Sequence, residues 1–268
     1  MSEIDELFTE LRGGGKKAFM PFVTAGDPDL EFTTAVLREL TAAGSSMCEV
    51  GIPYSDPIAD GPVIQASYTR ALEKKIRLAE ILKTLGELKD LSAPLVTMVS
   101  YAICHRHGLE NYVAAAKQAG VAGAIVPDLL VEEADELAAI CQREDFSLIQ
   151  LVTPTTPRER QKRIAEKTTG FIYYVSVTGI TGERTELPPQ LVDNVGWLRE
   201  QTDLPICIGF GISTPGHVKL LAPVADGLIV GSAIVRRICE AGSGDRDAVL
   251  RSVRDYAAGL IAALDSRS

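Results

Sequence analysis

Cysteine, histidine and aromatic residues are scarce in this chain, and no long apolar run interrupts it. The five cysteines, at positions 48, 104, 141, 207 and 239, are scattered and odd in number. That pattern argues for reduced thiols rather than a disulfide framework, and none is paired at metal-ligand spacing. Of the three histidines, too few stand near a strand end to form a metal cage. Only His105 and His107 fall near a strand end, where they read as exposed residues at a helix start. The segment Met1 to Phe8 is acidic, with neither a basic n-region nor an apolar h-region, so no signal peptide is expected. No stretch of about 18 apolar residues exists, so the expectation is a cytoplasmic protein with no membrane span. Positive charge is also short: 27 Lys and Arg against 36 Asp and Glu leave a net charge of −9. A nucleic-acid partner is therefore not expected. A small phosphorylated substrate stays possible, because backbone amides at a helix N-terminus hold an anion without a basic patch.

What the chain does have is 268 residues with 46% apolar content and 23 glycines. That is enough for a large core, and barrels of about 250 residues routinely form one domain. Short apolar runs at Ala18–Thr24, Met47–Gly51, Leu95–Ser100, Ala122–Val126, Ser147–Val152, Phe171–Ser176, Ile206–Gly209 and Gly227–Val230 read as strands, each followed by a helical pattern. The helices are expected at 29–43, 62–72 and 76–91, 109–119, 131–143, 158–167, 188–201, 214–221, and 233–240 with 246–264; a short helix at 3–12 precedes them. Strands that are apolar without alternation are buried on both faces, as in parallel sheets. Eight such units point to an α/β fold: one (β/α)8 TIM barrel spanning 1–268, with extra N-terminal and C-terminal helices. An open doubly wound sheet is the alternative.

In a closed barrel, chemistry sits on the loops that follow the strands. The second is the most informative: Cys48-Glu49-Val50-Gly51-Ile52-Pro53-Tyr54-Ser55-Asp56-Pro57-Ile58-Ala59-Asp60-Gly61-Pro62. Glu49 is an ionisable group inside an apolar strand, disfavoured unless it is paired or has a job. Its three prolines make 52–62 an irregular connection, and long loops are often functional. A structural acid bonded to backbone is the other reading of Glu49. No lysine stands at a strand end, which argues against a Schiff base. After the seventh and eighth strands, Gly209-Phe210-Gly211 and Gly231-Ser232 each place bare backbone ahead of a helix. Glycine lets a phosphate approach the N–H groups, and the helix dipole favours the anion.

Pro21-Phe22-Val23-Thr24-Ala25-Gly26-Asp27-Pro28, the 49–62 segment, Val175-Ser176-Val177-Thr178-Gly179-Ile180-Thr181-Gly182, Gly209 to Ser213 and Gly231 to Val235 together resemble the tryptophan synthase alpha subunit. The likeness covers essentially the whole chain, and the 49–62 segment is its most specific part. It implies a single (β/α)8 barrel that cleaves indole-3-glycerol phosphate to indole and glyceraldehyde 3-phosphate by a retro-aldol step. It also implies no cofactor in this chain, with pyridoxal phosphate in a partner beta subunit, an αββα heterotetramer, and indole passed between subunits. By resemblance Glu49 is the proton-shuttling acid/base, and Asp60 accepts a hydrogen bond from the indole N–H. Phe22 and Tyr173 match the indole pocket and substrate contacts. Thr181, Gly182, Phe210, Gly211, Gly231 and Ser232 match substrate-binding positions, the glycines and Ser232 on the phosphate. The loops at 53–60 and 178–190 match those that close over substrate. The family commonly carries Tyr-x-Asn after its third strand, where this chain has Ser100-Tyr101-Ala102-Ile103. Three other functions are open: a stand-alone lyase, a non-enzymatic activator of a beta subunit, and a sugar-phosphate isomerase, which would not need the 52–62 loop.

Overall fold

The computed structural model describes residues 2–57, 60–176, 187–209, 211–242 and 244–265. Within them run parallel strands β1 (Ala18–Thr24), β2 (Cys48–Gly51), β3 (Leu95–Met98), β4 (Val121–Ile125), β5 (Ser147–Ile149), β6 (Leu151–Val152), β7 (Ile172–Val175), β8 (Ile206–Gly209) and β9 (Gly227–Val230). Their order in the sheet is β5-β4-β3-β2-β1-β9-β8-β7-β6. The first and last members of that order are consecutive in the chain and separated only by Gln150, so the sheet closes on itself. The fold is a (β/α)8 barrel whose fifth strand is in two pieces: β5 pairs with β4, and β6 pairs with β7. At the break, the Gln150 carbonyl still accepts from Tyr173 N at 3.1 Å.

The described helices are α1 (Glu3–Gly13), α2 (Leu30–Ala42), α3 (Pro62–Glu73), α4 (Leu78–Gly86), α5 (Tyr101–His107), α6 (Leu109–Gln118), α7 (Asp135–Arg143), α8 (Arg158–Lys167), α9 (Pro189–Arg199), α10 (Pro215–Leu221), α11 (Ser232–Cys239) and α12 (Arg246–Asp265). Three expectations need correction. The helix expected over 76–91 stops at Gly86, and the apolar residues beyond it belong to turns. The stretch expected as one helix at 131–143 opens with a separate 3-10 turn, Val131–Glu133. His105 and His107 are exposed as expected but lie in the last turn of α5, a helix absent from the sequence reading.

Strand β1 shows why the strands lack alternation. Ala18, Met20 and Phe22 join a cluster inside the barrel, while Phe19 and Val23 join the layer between sheet and helices. Both faces are dry, so both are apolar. The interior is sealed where the strands begin by α1, whose start is fixed by a capping box between Ser2 and Asp5. Phe8 meets Phe171 with ring centroids 5.8 Å apart, and Ser2 Oγ lies 2.9 Å from Ser147 Oγ. Helix α12 packs over α2, α10 and α11.

One buried ion pair fixes α3, the helix that follows the long loop. Arg70 donates through Nε and Nη2 to the two Asp27 oxygens at 2.9 and 2.6 Å, and Asp27 is only 2% exposed. Removing one partner of such a pair leaves an uncompensated charge, at a cost of about 3 to 5 kcal/mol. Because Arg70 is partly exposed, Arg70→Ala should destabilise the fold by about 3 kcal/mol, the low end of that range. Urea unfolding measures this, and a loss below about 1 kcal/mol would mean that Asp27 finds water once the guanidinium is gone.

Candidate active site

On β2 the side chains of Cys48 and Val50 enter the outer layer, which turns Glu49 and Gly51 inward. Glu49 is 1% exposed, and its Oε1 has no hydrogen-bond partner among the described residues. Asp60 stands just ahead of α3, its backbone N–H donating to the Pro57 carbonyl at 3.1 Å. Gln65, on the first turn of α3, donates to the Asp60 carbonyl at 2.8 Å and the Pro57 carbonyl at 3.3 Å, pinning the loop to the helix. The Asp60 Oδ2 atom is likewise buried without a partner among the described residues. Both carboxylates line one cavity of about 370 Å³ at the ends of the strands.

Phe22 from β1, Met98 from β3 and Tyr173 from β7 supply the apolar walls of that cavity. Glycines make room for these rings. A Cβ at Gly51 would stand 2.4 Å from Phe22 Cζ and 2.6 Å from Tyr68 Oη. A Cβ at Gly209 would stand 2.5 Å from Tyr173 Oη. Neither position could carry any other residue without displacing an aromatic wall.

Another part of the cavity is built from backbone. Gly211, at φ +78°, with Ile212 and Ser213, follows β8; Gly231, Ser232 and Ala233 follow β9 and open α11. No side chain caps α11, so its first N–H groups are available to a ligand. Helix α10 differs, because Thr214 caps it by accepting from His217 N. The Tyr256 hydroxyl of α12 holds the turn after β8 by donating to the Ser213 carbonyl at 2.8 Å.

Burial separates the two carboxylates electrically. Glu49 is pushed up to about 8, first by desolvation and then by the negative charge of Asp60. Asp60 rises to about 6 through desolvation. Near neutrality one group therefore holds a proton and the other a charge, an arrangement suited to acid catalysis beside a developing cation. Burial and the same two carboxylates push Tyr173 well above the usual phenol range, so it stays a neutral wall.

Against known proteins, the sequence profile described as tryptophan synthase alpha chain matches residues 8–260. The chain belongs to that family. The tryptophan synthase alpha chain of Rhodopirellula baltica is 62% identical over 245 residues, covering 90% of this chain and 88% of that protein. The one from Synechocystis is 46% identical over 242 residues, covering 90% and 92%. Among solved structures, the tryptophan synthase subunit alpha of Legionella pneumophila superposes with a TM-score of 0.90 at 33% identity over 100% of both chains. The tryptophan synthase alpha family cleaves indole-3-glycerol phosphate, and this chain is a lyase of tryptophan biosynthesis.

Of the residues that the sequence singles out, Glu49, Asp60, Phe22, Tyr173, Gly211, Gly231 and Ser232 line the one cavity. Thr181, Gly182 and Phe210 lie outside the described residues. Tyr101 does not line the cavity; it sits at the start of α5, its backbone N–H bonded to Asp128 Oδ1 at 2.7 Å. The apolar walls come from Phe22, Tyr173 and Met98 instead. Sequence reasoning missed Met98, Ile64 and Arg236, all of which line the cavity. Arg236 lies one turn along α11 from Ser232, and that spacing was the available signal for a cation beside the bare turn.

An acid whose folded value is raised makes folding favour the protonated form, so stability falls as pH rises between the unfolded and folded values. For Glu49 that window runs from the ordinary glutamate value, 4.5, to about 8. Glu49→Gln removes the penalty. The variant should be more stable than the parent above pH 8, with the gap closing toward pH 4.5. Urea unfolding across that range tests it, and a gap independent of pH would mean that Glu49 is already ionised in the folded protein.

Proposed function

We propose that Glu49 carries both proton transfers of the lyase reaction and that Asp60 stabilises the cation between them. The observation that supports this is the pair of buried, unpartnered carboxylates lining one cavity, one protonated and one charged near neutrality. Protonated Glu49 delivers its proton to C3 of the indole ring, which becomes a cation delocalised onto the ring nitrogen. Asp60 accepts the ring N–H and offsets that charge. The carboxylate left on Glu49 then takes the proton of the side-chain hydroxyl next to the ring. The carbon–carbon bond breaks, its electrons return to the ring as indole, and the hydroxyl carbon becomes the aldehyde of glyceraldehyde 3-phosphate. One proton is given and one taken, so the chemistry itself calls for no cofactor in this chain.

Gly211, Gly231, Ser232 and the exposed N-terminus of α11 hold the phosphate, with Arg236 as the nearby cation, and Phe22 and Tyr173 enclose the ring. Thr181, Gly182 and Phe210 complete the same sites by resemblance. The partner is a beta subunit carrying pyridoxal phosphate, in an αββα assembly that receives the indole, and the setting is the cytoplasm. No described helix is long and apolar enough to cross a membrane. The 1–268 chain acts as one barrel domain.

Glu49→Gln keeps size and polarity but cannot exchange the proton, so indole release should fall at least about a hundredfold, the usual scale for a lost general acid–base group. Parent-like turnover in the purified variant would remove Glu49 from the mechanism.

The phosphate site is better tested at Gly231 than at Gly211, whose φ of +78° would strain any side chain. A Cβ at Gly231 meets nothing closer than Phe22 Cβ at 3.7 Å, so Gly231→Ala has room for its one methyl group and sets it beside the bare turn where the anion approaches. Affinity for indole-3-glycerol phosphate should drop at least about tenfold, about 1.4 kcal/mol, while dephosphorylated indole-glycerol loses much less. Equal losses for both compounds would withdraw the phosphate assignment.

A further inference from the structure

Tyr68 is a second-turn residue of α3 that packs in the cluster inside the barrel, its hydroxyl end against Gly51 of β2. It is 1% exposed, and its Oη has no hydrogen-bond partner among the described residues. The phenol end fills the space that a side chain at Gly51 would take, with Oη 2.6 Å from that Cβ position. Residues 49 and 51 share the inward face of β2, so Oη stands one pleat repeat, about 6.5 Å, beyond the origin of Glu49 toward the barrel mouth. Phe22 closes one side of it, and Tyr54 packs on its ring at 5.6 Å between centroids.

A buried hydroxyl without a partner is unfavourable. Two carboxylate oxygens, Glu49 Oε1 and Asp60 Oδ2, are buried without a partner as well, and both acids act on the Tyr68 phenol. Other nearby hydroxyls are committed: Thr24 Oγ1 lies 2.6 Å from Ser67 Oγ, and Ser67 donates to the Ile64 carbonyl at 2.7 Å. The titratable groups acting on Tyr68 are Asp60 and Tyr54 from the loop and Glu49 from β2. Tyr173 faces the same carboxylates from β7, Asp128 acts on Tyr54, and Arg70 on α3 is occupied by Asp27. Burial and these acids keep Tyr68 protonated, hence a donor. Between its two possible acceptors, the ionised one gives the stronger, charge-assisted bond, and that is Asp60.

We propose that Tyr68 is a positioning residue for Asp60: in the substrate-bound site its hydroxyl donates to the Asp60 carboxylate and fixes it while the other oxygen faces the indole N–H. This rests on the assignment of Asp60 to the ring nitrogen. Tyr68 does not line the cavity, so it acts through Asp60 and not on the substrate.

The test is a cycle of Tyr68→Phe, Asp60→Asn and the double variant, assayed for indole release across pH. Tyr68→Phe removes one oxygen and keeps the packing; kcat should fall about tenfold. The acid limb of kcat, which reports the substrate complex, should move up by about one pH unit as Asp60 loses its donor. The acid limb of kcat/KM, which reports the free enzyme, should stay in place, because the hydroxyl is unpartnered there. In the Asp60→Asn background the second substitution should cost no more than about twofold. An unmoved kcat limb, or losses that multiply in full while Asp60→Asn is impaired, overturns the role of Tyr68 alone. Parent-like activity of Asp60→Asn overturns the Asp60 assignment, and the Tyr68 role with it.

Discussion

A carboxyl group held on the inner face of a closed parallel barrel is the constraint from which the rest of the site follows. The pairing of Phe22 with Glu49, and of Glu49 with Val96, sets which residues of β2 point inward. A shift of one residue would send Glu49 into the apolar layer under the helices and bring Cys48 and Val50 into the cavity. Held inside, the group cannot keep its charge cheaply, and its neighbour Asp60 makes ionisation harder still. The resting state is therefore a protonated acid, produced by burial first and the neighbouring charge second. Asp60, half-buried at the cavity edge, is displaced less and stays charged.

The cavity is shaped by what the strand ends omit. Gly51 and Gly209 leave space that Phe22, Tyr68 and Tyr173 occupy, so Phe22 from β1 and Tyr173 from β7 can both wall the cavity. The anion end uses the bare backbone around Gly231 and the uncapped start of α11. A protein of net charge −9 can still bind a phosphate in this way. Exposed charges farther than a Debye length, about 8 to 10 Å, are largely screened, so the local N–H donors and Arg236 outweigh the net charge at this end of the cavity. A protonated Glu49 helps, since the site then presents one negative charge and not two.

The strands were legible in the sequence because burial on both faces removes polar residues from them, and Glu49 stood out for the same reason. The break at Gln150 was not: it arises where β5 follows β4 and β6 follows β7, a consequence of closure and not of composition. Helix α5 escaped notice because Tyr101 to His107 is only 7 residues long and buries only Cys104, too little to show a helical period. The overlong reading at 76–91 came from Leu88 and Leu91, which keep a helical spacing but serve the core from turns beyond Gly86. Tyr68 was invisible for a related reason. It follows Ile64 by four residues on the buried face of α3, where an aromatic residue reads as packing, and only the gap at Gly51 shows where its hydroxyl lies.

The two carboxylates differ in how firmly they are held. Glu49 is locked in a strand paired on both sides. Asp60 belongs to the connection between β2 and α3, anchored by Gln65 and bordered by Tyr54 on Tyr68. The same connection contributes Pro53, Tyr54 and Asp56 to a second cavity, of about 680 Å³, shared with Ser100 and Asp128. In this geometry the place of Glu49 is set by the paired strand, and that of Asp60 by the contacts of its loop with α3.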